Sequence, residues 1–147
     1  RVNAAMCCDQ DNGRLYLFGG ENSNGRLNDL WMLDLHNASL TWQKVNARLG
    51  TSPSPRAFHA AAFFRSGPHG VVISGGADKD GKIRRDSWIY YLDEATWAKI
   101  VSSNSPPPSA GHSLIFHDDI GQAVQFGGWN GFWEGGYIFN LEFLPSP

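Results

Sequence analysis

Three Gly-Gly pairs, at residues 19–20, 75–76 and 127–128, each close a short apolar run of the sequence. The pairs recur after 56 and then 52 residues. Glycine adopts positive φ without steric cost and lets another backbone approach closely. A strand that ends in two such residues, repeated about every fifty residues, predicts one structural unit built three times.

Further apolar segments recur at similar distances from each Gly-Gly pair. A polar stretch follows the glycines, and then comes a segment with an aromatic residue near its start. Two copies add a strand with a tryptophan, and two begin with a strand led by histidine. These markers are Trp31, Trp88 and Tyr137, then Trp42 and Trp97, then His59 and His112. Four short strands per repeat, with no sustained helical period, are typical of a β-propeller blade.

The phased motifs make the chain resemble the kelch family over essentially its whole length. The second copy carries the Pro-Arg-x-x-His segment before its first strand, from Pro55 to His59. The third copy has Ser109 in place of the arginine, and the first begins at that arginine, as Arg1. The resemblance implies an all-β fold of about three four-stranded antiparallel propeller blades. It also implies that Arg56 supports neighbouring backbone.

The blades are predicted at about residues 1–52, 53–105 and 106–147, and the third lacks a clear fourth strand. Propellers usually close with ~4–8 blades, so three blades leave two flanks to cover. We expect the ring either to close by association with copies of this chain or another chain, or to continue in the remainder of a larger propeller. Two copies of the chain would supply six blades.

Composition narrows the class of partner. The formal net charge is −2 and the cationic residues are scattered, so no nucleic-acid surface is predicted. No apolar stretch approaches the ~18 residues of a membrane span, so no membrane partner is expected. The two cysteines, Cys7 and Cys8, suit a reducing compartment, and we expect a cytoplasmic location.

No cofactor, metal site or catalytic group is predicted. The repeated phase of His59 and His112 favours a role in blade construction. The stretch that starts at Asp78 resembles the beginning of a calcium loop, but position twelve holds Ile89 and no glutamate. Some kelch-type propellers are copper oxidases or iron-assisted enzymes, and their ligand clusters are missing here. We therefore expect a non-enzyme, with a fragment of a kelch-type enzyme as an alternative.

The loops that follow the Gly-Gly pairs hold the candidate binding residues, since kelch proteins commonly bind partners with this face. The first loop offers Asn22 and Arg26. The second is rich in charge and offers a positive patch for an acidic peptide or phosphate; internally paired charges are the alternative. Its candidates are Lys79, Lys82, Arg84 and Arg85.

The third loop is rich in aromatic and glycine residues. Exposed aromatics are costly unless they pack or bind, so the loop either packs on a neighbouring blade or recognises a partner. Its candidates are Trp129, Asn130, Phe132 and Trp133. The leading hypothesis is a non-catalytic protein–protein interaction module, with an adaptor or scaffold role and a peptide or protein partner. Carbohydrate binding through Trp129 and Trp133 is the alternative.

Overall fold

The computed structural model describes residues 1–48, 50–65, 67–102, 104–132 and 135–140. Its strands are short and are joined by tight turns, with one single-turn 3-10 helix at Asp118–Ile120. In chain order the strands are β1 (Ala5–Asp9), β2 (Arg14–Phe18), β3 (Glu21–Asn22), β4 (Gly25–Arg26), β5 (Leu30–Asp34), β6 (Gln43–Val45), β7 (Arg56–Ala57), β8 (Ala60–Phe64), β9 (Gly70–Ser74), β10 (Ala77–Asp78), β11 (Ser87–Tyr91), β12 (Thr96–Lys99), β13 (Ser113–His117), β14 (Gln122–Phe126) and β15 (Gly136–Asn140).

The three main sheets are antiparallel and follow one plan. The first has the order β1-β2-β5-β6 and the second has the order β8-β9-β11-β12. The third has β13-β14-β15 among the described residues. The expected lack of a clear fourth strand there concerns residues 141–147, which lie outside the described part of the chain. The fold is therefore the expected all-β arrangement of antiparallel propeller blades.

The blades stack face to face, with their first strands β1, β8 and β13 side by side. Between the first and second blades, Tyr16 and Phe18 pack against a buried group that includes Val71, Ile73 and Trp88. A second core, between the second and third blades, contains the following residues: Ala60, Ala62, Phe64, Val72, Ile89, Leu114 and Ala123. The middle blade is thus covered on both faces, which explains why every residue of β9 is buried.

The Gly-Gly pairs lie where backbone from two directions converges on the end of a strand. The first glycine faces the next blade: a Cβ on Gly19 would lie 2.8 Å from the Arg56 carbonyl oxygen. The second glycine faces its own blade: a Cβ on Gly20 would lie 2.6 Å from the Val2 carbonyl oxygen. Both have positive φ, +60° and +86°. The Gly20 N–H also donates to the Arg56 carbonyl at 2.9 Å, so no side chain fits here.

In each of the first two blades, an arginine before the first strand binds later segments of the same blade. Arg56 is fully buried; its Nη1 donates to the Gly75 carbonyl at 2.9 Å, and its two Nη atoms lie 3.0 Å from the Asp86 carboxylate oxygens. Trp88 Nε1 donates to the same carboxylate at 2.7 Å. Burial alone would raise the pKa of Asp86, but the hydrogen bonds from Arg56 and Trp88 and the nearby positive charge lower it. The structural role of Arg56 agrees with the sequence-based interpretation.

Arg1 repeats this arrangement in the first blade in a more exposed setting. Its guanidinium donates to the Gly19 carbonyl at 2.9 Å and to both Asp29 oxygens at 2.8 and 2.9 Å. The Arg1 side chain keeps 21% of its surface exposed, against 0% for Arg56. In the third blade, Ser109 reaches the Gly127 carbonyl at 3.4 Å instead. The two ion pairs therefore differ in the burial of the arginine, whereas the carboxylates of Asp29 and Asp86 are similarly exposed, at 19% and 18%.

His59 and His112 are buried at successive blade interfaces, as their repeated phase predicts. His59 Nε2 lies 3.1 Å from the Phe18 carbonyl oxygen, and its ring meets the Phe18 ring edge-on at 5.3 Å. His112 occupies the corresponding place against Gly75. Burial, aided by the charge of Arg56, lowers the pKa of His59 to about 3. Burial also lowers the pKa of His112 to about 4.

The two arginine sites provide a matched test of burial. We expect Arg56→Met to lower the free energy of unfolding by about 2–3 kcal/mol, because it removes the hydrogen bonds of a fully buried guanidinium to the Gly75 carbonyl and the Asp86 carboxylate. Arg1→Met should cost about 1 kcal/mol, since the Arg1 guanidinium is partly exposed and its ion pair with Asp29 competes with water. Urea unfolding of both variants measures the difference. Equal losses would show that burial does not set the contribution of this ion pair.

Acid should destabilise the blades through the two histidines. Both have a folded pKa below 6.5, so the unfolded chain binds more protons, and stability present above pH 6.5 is lost as the pH falls toward about 4. Each histidine contributes up to about 1.4 kcal/mol per pH unit in that range. Urea unfolding at pH 7, 6 and 5 should therefore show a flatter profile for the double variant His59→Gln/His112→Gln. The same profile in both proteins would contradict this assignment.

Candidate functional site

The segments directly before the first strands β1, β8 and β13 of the three blades, here called the lead-ins, meet on one face of the structure. In each blade, one residue of this lead-in pairs with the residue after the Gly-Gly pair. The antiparallel pairs are Val2 with Glu21, Ala57 with Ala77, and Ala110 with Trp129. The lead-ins and the loops after the glycines therefore share one edge of the blades, and this edge is the candidate binding face.

A row of three left-handed residues crosses this face. Asn3, Phe58 and Gly111 occupy equivalent positions, with φ of 56°, 60° and 71°. The Phe58 N–H donates to the Asn3 carbonyl at 3.0 Å, and the Gly111 N–H donates to the Phe58 carbonyl at 2.7 Å. These bonds join three successive blades through backbone atoms, and the side chains at these positions take no part in them.

An apolar groove of about 510 Å³ opens beside this row. It is built from all three blades, because its walls come from the lead-ins and from the loops after each Gly-Gly pair. The lining residues are Arg26, Phe58, Ala77, Gly81, Ile83, Ala110, Gly111 and Trp129. The structure thus brings together Arg26 and Trp129, two of the residues predicted from the sequence.

Phe58 is the groove residue that sequence reasoning missed. Its side chain is 40% exposed although its backbone is left-handed, a conformation that costs about 1–2 kcal/mol for residues with a Cβ. The equivalent positions hold asparagine and glycine, which tolerate it. A bulky, half-exposed aromatic at a strained position on a recognition face is a signal of function. In the sequence, that signal is an aromatic residue directly before the lead-in histidine.

The charged loop of the second blade is organised around the carboxylate of Asp78. This buried group accepts the backbone N–H groups of Asp80 and Lys82, both at 3.0 Å, and lies 2.9 Å from Arg84 Nε. Burial opposes ionisation, but the two backbone hydrogen bonds and the charge of Arg84 lower the pKa of Asp78. The loop is therefore held in one shape by its own charges.

The predicted basic patch divides into paired and unpaired residues. Arg84 pairs with Asp78, and Lys79 Nζ lies 2.8 Å from Asp80. Lys82 and Arg85 are exposed and make no ion pair within the described part of the chain. The alternative of internally paired charges thus holds for Lys79 and Arg84, and partner binding by this loop stays a prediction.

Arg26 connects the first loop to the second. Its Nη1 donates to the Asp78 carbonyl oxygen, and its Nε lies 3.5 Å from Glu21. The segment that the sequence presents as a polar loop contains a small hairpin, in which β3 pairs with β4. The hairpin fixes the origin of the Arg26 side chain, so the arginine enters the groove from a defined position.

The remaining predicted residues stand outside the groove walls. Asn22 is exposed and accepts the Asn24 N–H at 2.8 Å in a turn. Asn130 accepts the Phe132 N–H at 3.2 Å, and the Phe132 side chain is 80% exposed. Trp133 lies outside the described residues. The predicted aromatic surface is therefore represented by Trp129, at 48% exposure, and Phe132.

The described part of the chain contains no cluster of three or more His, Cys, Asp or Glu residues that could hold a metal ion. No helix there is long and apolar enough to cross a membrane. Cys7 and Cys8 are free thiols. Burial, together with the neighbouring Cys8 and Asp9, raises the pKa of Cys7 to about 12, so this thiol is a poor nucleophile.

Comparison with known proteins gives the family. The sequence matches the KLHDC2/KLHL20/DRC7 kelch-repeats domain over residues 1–143. The chain belongs to the kelch-repeat family. It is 37% identical over 102 residues to adagio protein 3 of Arabidopsis thaliana, covering 68% of this chain and 16% of that protein. It is 35% identical over 122 residues to an F-box/kelch-repeat protein of the same plant, covering 78% of this chain and 25% of that protein.

A human relative shows the same partial coverage. The kelch chain is 31% identical over 147 residues to host cell factor 2 of Homo sapiens, covering 87% of this chain and 17% of that protein. The chain thus spans no more than a quarter of the length of these relatives. Members of the kelch-repeat family, such as these relatives, are typically protein-interaction modules.

The strain at Phe58 can be measured directly. We expect Phe58→Asn, which copies the first blade, to raise the free energy of unfolding by about 0.5–1 kcal/mol, because asparagine tolerates the left-handed backbone. Phe58→Ala is the control, since it removes the ring but keeps a Cβ in the strained conformation and should bring no gain. Urea unfolding of the two variants tests this. A loss of stability in Phe58→Asn would show that the ring packs usefully in the free protein.

Proposed function

We propose that this kelch chain is a non-catalytic interaction module that binds a protein or peptide partner in the groove beside Phe58 and Trp129. The observation that carries the proposal is the convergence of two half-exposed aromatic side chains on an apolar groove built by three blades. Exposed apolar surface of this kind marks interaction sites. Aromatic residues supply much of the binding energy of protein interfaces.

The rigidity of the groove supports the proposal. Phe58 is fixed by backbone hydrogen bonds to both neighbouring lead-ins, and the second loop is fixed by Asp78. A surface that is already ordered loses less conformational entropy on binding. The groove can therefore act as a preformed template for a partner segment.

The partial coverage of the relatives supports an adaptor or scaffold role, in which the kelch repeats hold the partner and other parts of a longer protein act on it. We also propose a cytoplasmic location. The two free thiols, Cys7 and Cys8, suit a reducing compartment.

Carbohydrate binding is the second candidate, and Trp129 is the observation that favours it, since a half-exposed indole can stack on a sugar ring. A sugar also needs several hydrogen-bonding groups around it. Arg26 is the one charged side chain among the groove-lining residues. The mainly apolar lining therefore favours a protein side chain over a sugar.

A matched pair of tryptophan variants tests the proposed function. Immobilised wild-type chain, Trp129→Ala and Trp42→Ala are compared for the proteins they retain from a cell extract, identified by mass spectrometry. Trp42 is a suitable control because it is 36% exposed and lies before β6, away from the groove walls. We expect a set of proteins that Trp129→Ala loses and Trp42→Ala keeps, because only Trp129 lines the groove.

Two results would count against this proposal. Identical protein sets from all three chains would remove the groove as the binding site. Binding on a glycan array that depends on Trp129, without a groove-dependent protein, would favour the carbohydrate alternative.

A further inference from the structure

Positive charge is concentrated beside the apolar groove. The second loop carries four cationic residues and two carboxylates between residues 77 and 85, although the whole chain has a net charge of −2. Two of these cations, Lys82 and Arg85, are exposed and make no ion pair among the described residues. Local excess charge on a protein of opposite net charge indicates a preferred sign of ligand.

The cationic groups adjoin the apolar surface itself. Lys82 stands between Gly81 and Ile83, both of which line the groove. Arg26 is a lining residue, and within the described part of the chain its Nη2 group makes no hydrogen bond. The groove thus combines aromatic walls with two cationic groups that can still donate hydrogen bonds to a ligand, Arg26 Nη2 and the Lys82 side chain.

We propose that the groove recognises a peptide segment in which a large apolar side chain is flanked by aspartate or glutamate. The apolar side chain packs against Phe58 and Trp129. The flanking carboxylate pairs with Arg26 and Lys82. This assignment rests on the proposed protein-binding function and adds the chemical class of the partner segment.

Carboxylate suits this site better than phosphate does. Phosphate recognition generally uses clustered, bidentate arginines. Here Arg84 is held by Asp78, and Arg26 already donates to a backbone carbonyl and approaches Glu21. The apolar walls also make it costly to strip water from a dianion. A single carboxylate needs fewer donors and remains at the edge of the groove.

Peptide selection on the full chain tests the proposal. A display library of random internal peptides is selected on the wild-type protein, with competing selection on Trp129→Ala to remove binders elsewhere. Enriched sequences are made as N-acetylated, C-amidated peptides, and their Kd is measured by fluorescence polarisation. We expect enrichment of a large apolar residue with aspartate or glutamate beside it.

Variants of the peptide and the protein then locate the charge. Replacing the acidic residues by their amides should weaken binding about two- to fivefold per pair, as for an exposed ion pair. Lys82→Glu should weaken binding about tenfold, because it replaces attraction by repulsion. Lys79→Glu makes the same charge change in the same loop, but Lys79 already pairs with Asp80, so it should change Kd by less than about twofold.

The outcomes separate this inference from the proposed function. Groove-dependent peptides that lack acidic residues, or that bind Lys82→Glu normally, would overturn the inference and leave the interaction module intact. Tighter binding when phosphoserine replaces the acidic residue would assign the cations to phosphate instead. If the selection yields no peptide that depends on Trp129, both the inference and the peptide-binding function fail.

Discussion

The close approach of backbone at the Gly-Gly pairs is the constraint on which the stacked blades depend. At Gly20 the N–H meets the Arg56 carbonyl of the next blade at 2.9 Å, and Gly76 meets Ser109 in the same way at 2.8 Å. A side chain here would separate the sheets and expose the apolar faces between them. His59 packs against Gly19 and Phe18 at the first junction, and His112 packs against Gly75 at the second. The spacing between blades is therefore set by backbone and is copied from one interface to the next.

The same junction positions the candidate site. The lead-in that carries the Arg56 carbonyl also carries Phe58, two residues further on, and the residue after Gly76 pairs with Ala57. The groove is therefore attached to the backbone hydrogen bonds of the blade interface. The Asp78 carboxylate fixes the backbone of the charged loop at its edge.

The repeat could be predicted from the sequence because its cause is local: glycines, lead-in histidines and strand tryptophans mark positions that backbone geometry dictates. The same logic predicted the structural role of His59, whereas that of Arg56 was implied by the resemblance to the kelch family. The groove was only partly predictable. Trp129 was conspicuous as an aromatic in a glycine-rich loop, whereas Phe58 lies in a motif that reads as structural. The unpaired cations of the second loop could not be identified from the sequence. Their pairing depends on Asp78, which binds the backbone N–H groups of Asp80 and Lys82, and the sequence does not show which backbone groups a side chain will bind.

The left-handed row of Asn3, Phe58 and Gly111 separates the scaffold from the residues that it displays. Backbone bonds alone hold the row, so the residue at each position can change while the blades keep their spacing. One kelch frame can thus present a polar, an aromatic or an empty position in successive blades, and only a bulky residue such as Phe58 adds backbone strain. Single substitutions can therefore change the chemistry of this face, and a designer could exchange it in the same way.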